Sequence, residues 1–199
     1  MLSGVRPDDL GALAMREAVA RVGSPADHVA DVYFGCANGA GEDNRNVARM
    51  SALLTGFPVS VPGVTVNRLC GSGLEAVHQA AKAVLALEDE AFLAGGVESM
   101  SRAPYALPKP ERPYATGNEQ MFDTTLGWRF VSPRMQELYG TEAMGETAEN
   151  LAQEYRISRV EQDEFALFSH EKATRVQNTG HFSPETVPVE VRSKGVFSV

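Results

Sequence analysis

The sequence predicts an α/β fold: a mixed, mostly parallel sheet layered with helices, followed by a mainly helical second part. Between Asp8 and Ser101, strand-like and helix-like patterns alternate at lengths that imply right-handed crossovers and a sheet covered on both faces. The chain has 199 residues, 43% of them hydrophobic, enough to bury a real core. After Ser101 the texture changes to a proline-rich stretch and then to helical spacing. The expected division is therefore an α/β core over 1–102 and a largely helical part over 103–199.

The elements follow in order. DDLGALAMREAVARVG, from Asp8, has acidic residues at its start, Leu10, Leu13, Ala14 and Ala18 at three- and four-residue steps, and Gly23 at its end, which reads as a helix. Ser24 and Pro25 read as the N-cap and first-turn residue of a short helical turn, and DVYFGC, Asp31 to Cys36, as a strand. ANGAGEDNRN is rich in Gly and Asn and reads as a loop. NVARMSALLTG returns to helical spacing through Val47, Met50, Leu53 and Leu54, with Gly56 just past it, and Pro58 and Pro62 bracket a turn. VTVNRL is strand-like. GSGLEAVHQAAKAVLAL is helical, with Leu74, Val77, Ala81, Val84 and Leu85 as the expected buried face. AFLAGGVESM is a strand that runs into a glycine-marked turn.

APYALPKPERPYATGNEQ has four prolines and little periodicity, as a long loop or an excursion from the sheet would have. In SRVEQDEFALFSHEKATRVQ, Ser158 and Glu161 stand at capping-box spacing, and Val160, Phe165, Phe168 and Val176 are the apolar positions. ETVPVEVRS is strand-like. There is no internal repeat and no low-complexity tract.

A net charge of −8 and a pI near 5.0, with no run of Lys or Arg, argue against nucleic acid and anionic membranes as partners. A phosphate-bearing substrate would need a local basic patch. No segment reaches the roughly 18 apolar residues of a membrane span, and MLSGVRPDDL lacks the features of a signal peptide, so a cytoplasmic location is expected. The two cysteines, Cys36 and Cys70, show no CxxC spacing, so neither a disulfide framework nor a metal site is expected.

Chemistry concentrates at NRLCGSGLEAV. Cys70 precedes Gly71, Ser72 and Gly73 at the start of a helix, where unpaired N–H groups and the helix dipole favour a thiolate. The three small residues leave room for a ligand to approach the backbone and are costly in a helix meant only to be stable. The alternative is a buried structural cysteine at an ordinary Gly- and Ser-rich helix start. A nucleophile also needs a base. His78 lies eight residues on, about 12 Å of helix rise, so its ring cannot reach Cys70 from the same helix. It shares a face with Val77 and Ala81 and reads as a core or interface histidine. His28, His170 and His181 read as solvated.

Several motifs in one order resemble the thiolases, which transfer acyl groups between coenzyme A and a second acyl-CoA. VNRLCGSGLEAV is similar to that family's acyl-enzyme motif, AGGVESMSRAPY to the strand and loop after it, and MGETAENLAQEY to its loop-domain motif. The SRVEQDEFALFSHEKA helix follows in the expected place. GCANGAGEDNRNVARMSALLTGFP and MFDTTLGWRFVSPRM are most similar to the 3-oxoadipyl-CoA thiolases of aromatic-compound breakdown. Those enzymes convert 3-oxoadipyl-CoA and coenzyme A to succinyl-CoA and acetyl-CoA. Gly145 stands where that subgroup has proline, as in acetoacetyl-CoA thiolases, which leaves an acetoacetyl-CoA or general 3-ketoacyl-CoA thiolase as the alternative. A decarboxylating condensing enzyme shares the fold, but ESMSRAPY and MGETAEN point to thiolase.

The resemblance implies a thiolase-type sheet with a helical loop domain, and it implies Cys70 as the nucleophile that holds the acyl group as a thioester, its own N–H serving as an oxyanion donor. Met144 matches the family's acyl-pocket methionine, with an ordinary core-packing methionine as the alternative. Trp128 and Arg129 fall in the GWRF signature, where Arg129 suits the far carboxylate of a dicarboxylic acyl chain, although a surface arginine is the commoner case. Acyl-CoA and coenzyme A are the implied partners, as substrates and not as a resident cofactor, in a homodimer or homotetramer. Thiolases are about twice this length. The sequence is thus expected to lack the family's first strand, which lies in the middle of its sheet, and the C-terminal half. That half would hold the activating histidine, the second catalytic cysteine and further oxyanion donors, so the chain alone is expected to be inactive. A non-catalytic acyl-CoA-binding or interaction fragment is the reading from another class.

Overall fold

The computed structural model describes residues 2–86, 89, 91–193 and 195–198. Two compact units divide the chain: Met1–Leu126 with Val187–Val199, and Gly127–Thr186.

In the first unit, helix α1 (Pro7–Val22) opens on a proline and two acidic residues, as a helix N-terminus prefers. It stops where Gly23 turns left-handed, at φ 70°, and returns its N–H to the carbonyls of Ala20 and Val19. The predicted short turn follows one residue later than its cap signal, as a 3-10 turn over Ala26–His28 with Pro25 at its N-cap. Strand β1 (Asp31–Gly35) leads through the Asn- and Gly-rich loop to α2 (Val47–Thr55), which the Asn46 side chain caps by accepting the Arg49 N–H. Then come β2 (Val64–Val66), α3 (Ser72–Leu85) and β3 (Phe92–Gly96). The last residue of the predicted α3 segment, Leu87, lies outside the described residues.

The three strands form a parallel sheet in the order β2-β1-β3, with Tyr33 opposite Val64 and Asp31 opposite Phe92. Because β1 is bonded on both sides, this sheet has no internal gap, and any further strand would join at an edge. Alternation along β1 assigns the layers. Phe34 meets α1, where a Cβ on Gly11 would stand 3.1 Å from its ring, whereas Gly35 faces α3. The α1/α2 side holds the main core of Met15, Val29, Val32, Phe34, Cys36, Val47, Ala48, Ala52, Phe57 and Val61. Helices thus cover both faces, as the sequence predicts.

The buried face of α3 differs from the expected one. Ser72, Ala76, Ala80 and Ala83 are buried. Leu74, Val77, Val84 and Leu85 are exposed, Leu74 at 76% and Leu85 at 82%, and Ala81 is exposed with them. Both stripes have helical spacing, and the sheet chooses between them. A Cβ on Gly35 would lie 2.5 Å from the Ser72 carbonyl carbon, so α3 starts in contact with the strand backbone and only small side chains fit beneath it.

Later in the chain, β4 (Tyr105–Ala106), near the start of the proline-rich excursion, pairs antiparallel with β5 (Phe122–Asp123), just past its end. β6 (Glu190–Ser193) and β7 (Gly195–Ser198) form a second antiparallel pair, so the chain adds antiparallel pairs to a parallel sheet.

The second unit contains α4 (Pro133–Tyr139), α5 (Met144–Glu154) and α6 (Arg159–Asn178). The capping box read from Ser158 and Glu161 forms: the Ser158 hydroxyl accepts the Glu161 N–H, and the Glu161 carboxylate accepts the Ser158 N–H at 2.8 Å. None of this unit's described residues is buried, and Val160, Phe165 and Phe168 are exposed on α6. Among the described residues no helix is long and apolar enough to cross a membrane.

Candidate active site

The turn that carries Cys70 connects the end of β2 to α3, at the C-terminal edge of the parallel strands, where open α/β sheets place their ligands. Asn67 begins it. Its Nδ2 donates to the Ala37 carbonyl at 2.9 Å, tying the turn to the loop after β1, and its Oδ1 accepts the Leu69 N–H at 2.9 Å. Leu69 adopts φ 49°, a left-handed conformation uncommon for a leucine. The Gly71 N–H then donates to the Arg68 carbonyl at 3.1 Å and the Ser72 N–H to the Leu69 carbonyl at 3.0 Å, so the chain reverses tightly around Cys70.

Cys70 is exposed. It stands immediately before the N-cap residue Gly71, one step earlier than a helix-start position. Its backbone N–H donates to no acceptor among the described residues. A carbonyl carbon attacked by this sulfur would therefore find a backbone donor beside its developing oxyanion.

Around the turn, Glu75 lies 3.0 Å from the Arg68 guanidinium and 3.8 Å from His78 Nδ1. A hydrogen bond from Gln79, and after it the charge of Arg68, holds the Glu75 carboxyl below its usual range. His78 is exposed rather than part of a core, and its partner is this carboxylate.

Cys36 is the opposite kind of cysteine. It is buried, and desolvation first, then the charges of Glu98 and Asp43, pushes its thiol up to about 11. Cys36, Asp43 and Glu98 bring donor atoms within 4.8 Å of one another. Both carboxylates are already engaged, Asp43 with the Gly41 N–H and Glu98 with the Ala37 N–H, so the trio braces the loop after β1. Nothing in their sequence spacing marks Asn67, Asp43 and Glu98 as neighbours. The one local signal is that Asn67 sits two residues before Leu69, the spacing of an Asx turn.

The other predicted site residues belong to the second unit. Met144 opens α5 and is 77% exposed. Trp128 is exposed and Arg129 half-buried, both just before α4. His170 and His181 are exposed in that unit, and His28 sits in the 3-10 turn before β1.

The model of the family described as thiolase, N-terminal domain, matches residues 1–198. The chain belongs to the thiolase family. It is 51% identical over 196 residues to the beta-ketoadipyl-CoA thiolase of Pseudomonas putida, covering 97% of this chain and 48% of that protein. It is 52% identical over 196 residues, again 97% of this chain and 48% of the relative, to a 3-oxoadipyl-CoA/3-oxo-5,6-dehydrosuberyl-CoA thiolase of Escherichia coli strain K12. In three dimensions it matches the crystal structure of the Bacillus anthracis acetyl-CoA acetyltransferase with a TM-score of 0.86 at 36% identity, covering 100% of this chain and 49% of that one. This thiolase domain thus spans about half the length of the curated relatives it matches. Its α/β fold is the one the sequence led to.

Proposed function

We propose that this chain carries the nucleophilic half of a thiolase that cleaves 3-oxoadipyl-CoA with coenzyme A to succinyl-CoA and acetyl-CoA. The observation that carries the reading is an exposed Cys70 with an unengaged backbone N–H, on a turn at the strand ends, within a chain about half identical to beta-ketoadipyl-CoA thiolases.

In the first step the Cys70 thiolate attacks the C3 carbonyl, whose oxygen takes the negative charge beside the Cys70 N–H. When the carbonyl re-forms, the C2–C3 bond breaks. Its electron pair leaves with the acetyl-CoA fragment, which takes a proton at C2, and a succinyl thioester remains on Sγ. In the second step the thiol of free coenzyme A loses its proton and attacks that thioester, releasing succinyl-CoA and regenerating the Cys70 thiolate. In this mechanism the base and the acid lie outside this chain, because His78 stands six residues, about 9 Å of rise, up α3 from its first residue Ser72, and Cys70 precedes that helix. The chain by itself then turns nothing over. Met144, Trp128 and Arg129 contribute to acyl-chain choice, with Arg129 matched to the far carboxylate. The whole enzyme is a cytoplasmic homodimer or homotetramer.

Gly145 favours a second reading, an acetoacetyl-CoA or general 3-ketoacyl-CoA thiolase. An acetyl-CoA acetyltransferase of Cupriavidus necator is also 39% identical over 188 residues. The test is to express the complete reading frame, supply 3-oxoadipyl-CoA or acetoacetyl-CoA with coenzyme A, and follow loss of the oxoacyl thioester. Preference for 3-oxoadipyl-CoA, abolished by Cys70→Ser, is expected. Wild-type activity in Cys70→Ser overturns the nucleophile, and a preference for acetoacetyl-CoA overturns the substrate.

A further inference from the structure

We propose that Ser72 is the positioning residue of Cys70: its hydroxyl holds the turn that aims the thiol and the backbone N–H. This rests on Cys70 being the acyl-accepting nucleophile. The first residues of α3 are unusual in how they use a serine. The N-cap is Gly71, which has no side chain to cap with, and Ser72 does not bond forward to the helix N–H groups as a capping serine would. It bonds backward over the cysteine. Its Oγ accepts the Arg68 N–H at 2.9 Å and donates to the Leu69 carbonyl at 2.6 Å.

Ser72 is 4% exposed, on the stripe otherwise made of Ala76, Ala80 and Ala83. Alanine would fill that position equally well if packing were all that mattered, so the hydroxyl is the distinguishing feature. Its two bonds bracket Leu69, whose left-handed φ of 49° would otherwise relax toward negative values. Relaxation would rotate the peptide between Leu69 and Cys70, and with it the N–H and the Cα–Cβ direction of Cys70. Asn67 makes the second brace through the Leu69 N–H.

The experiment uses the whole chain with Ser72→Ala, Ser72→Thr and Asn67→Ala. Alkylation of Cys70 by iodoacetamide at neutral pH is followed by peptide mass spectrometry. Labelling of Cys36 reports opening of the core, and exchange of the Arg68 amide, measured by NMR, reports its bond to Ser72. Ser72→Ala is expected to slow Cys70 alkylation about tenfold, equivalent to about 1.4 kcal/mol, and to free the Arg68 amide while Cys36 stays protected. Ser72→Thr keeps the hydroxyl and should restore the rate to within about twofold and the Arg68 protection with it.

Wild-type alkylation in Ser72→Ala, or no rescue by Ser72→Thr, overturns the proposal. If Ser72→Ala opens the core and exposes Cys36, Asn67→Ala decides: about threefold slower alkylation supports the brace, and an unchanged rate overturns it. A distinct failure is wild-type Cys70 reacting no faster than in the urea-unfolded chain. That result would remove the nucleophile reading itself, and this inference with it.

Discussion

Gly35→Ala should destabilise the chain by about 2–3 kcal/mol, the upper part of the range for adding one methyl to a packed site. The new Cβ would stand 2.5 Å from the carbonyl carbon of Ser72, 2.7 Å from its oxygen and 2.7 Å from the Gly73 nitrogen. Ordinary contact begins near 3.4 Å, so the start of α3 must retreat by about 0.9 Å. All three neighbours are backbone, and none can swing aside as a side-chain tip would. Nor is there slack further along the helix, where Ala76 is 0%, Ala80 8% and Ala83 5% exposed. Urea denaturation is the assay. With a slope of about 2 kcal/mol per molar, the midpoint should fall by about 1–1.5 M. Gly73→Ala is the companion. Nothing lies within 4 Å of its would-be Cβ and its backbone is helical, so the same methyl should raise stability by about 0.5–1 kcal/mol. A Gly35→Ala variant within about 0.5 kcal/mol of wild type, or two variants shifted in the same direction, would refute the close strand-to-helix contact.

Two further outcomes are expected. The Cys36 thiol titrates near 11 in the folded chain against an ordinary 9.0. A raised value means that the folded state keeps a proton the unfolded state has lost, so the stability contributed by the buried neutral thiol is complete below about 9 and lost as pH rises toward 11. The stability gap between wild type and Cys36→Ala should therefore be constant up to about pH 9 and then narrow by up to about 1.4 kcal/mol per pH unit; a gap independent of pH contradicts the burial argument. For acyl choice, Arg129→Met in the complete protein should lower kcat/KM for 3-oxoadipyl-CoA by about 10- to 100-fold, the loss of one charge-assisted contact, and leave acetoacetyl-CoA unaffected. Equal losses on both substrates would remove Arg129 from carboxylate recognition.

Part of the chemistry that acts over one turn was legible in the sequence, although the backward bonds of Ser72 were not. Gly23 and Gly56 end their helices in left-handed conformations and Ser158 with Glu161 caps α6, each where its residue type placed it, whereas the Asn46 cap of α2 came from the structure. The strand runs were legible for the same reason, although VTVNRL yields pairing only over Val64–Val66 before Asn67 turns the chain. The order of motifs around Cys70 was enough to identify the family. The braces of the turn were not legible, because Asn67 reaches Ala37 and Glu98 reaches the Ala37 N–H across 30 and 61 positions of sequence.

By itself, then, the sequence determined the alternation that makes a parallel sheet, the ends of most helices, and the presence of a cysteine before a glycine-rich helix start. These depend on a residue and its near neighbours. Only the tertiary structure decided which stripe of α3 is buried, because Ala76–Ala80–Ala83 and Leu74–Val77–Ala81 have the same period, and the bare backbone at Gly35 admits only the smaller one. It also decided that the two cysteines differ: Cys36 is enclosed by α1, α2 and two carboxylates, while Cys70 is held out on a turn. Burial is set by what the rest of the chain brings alongside, and no spacing along the sequence encodes it.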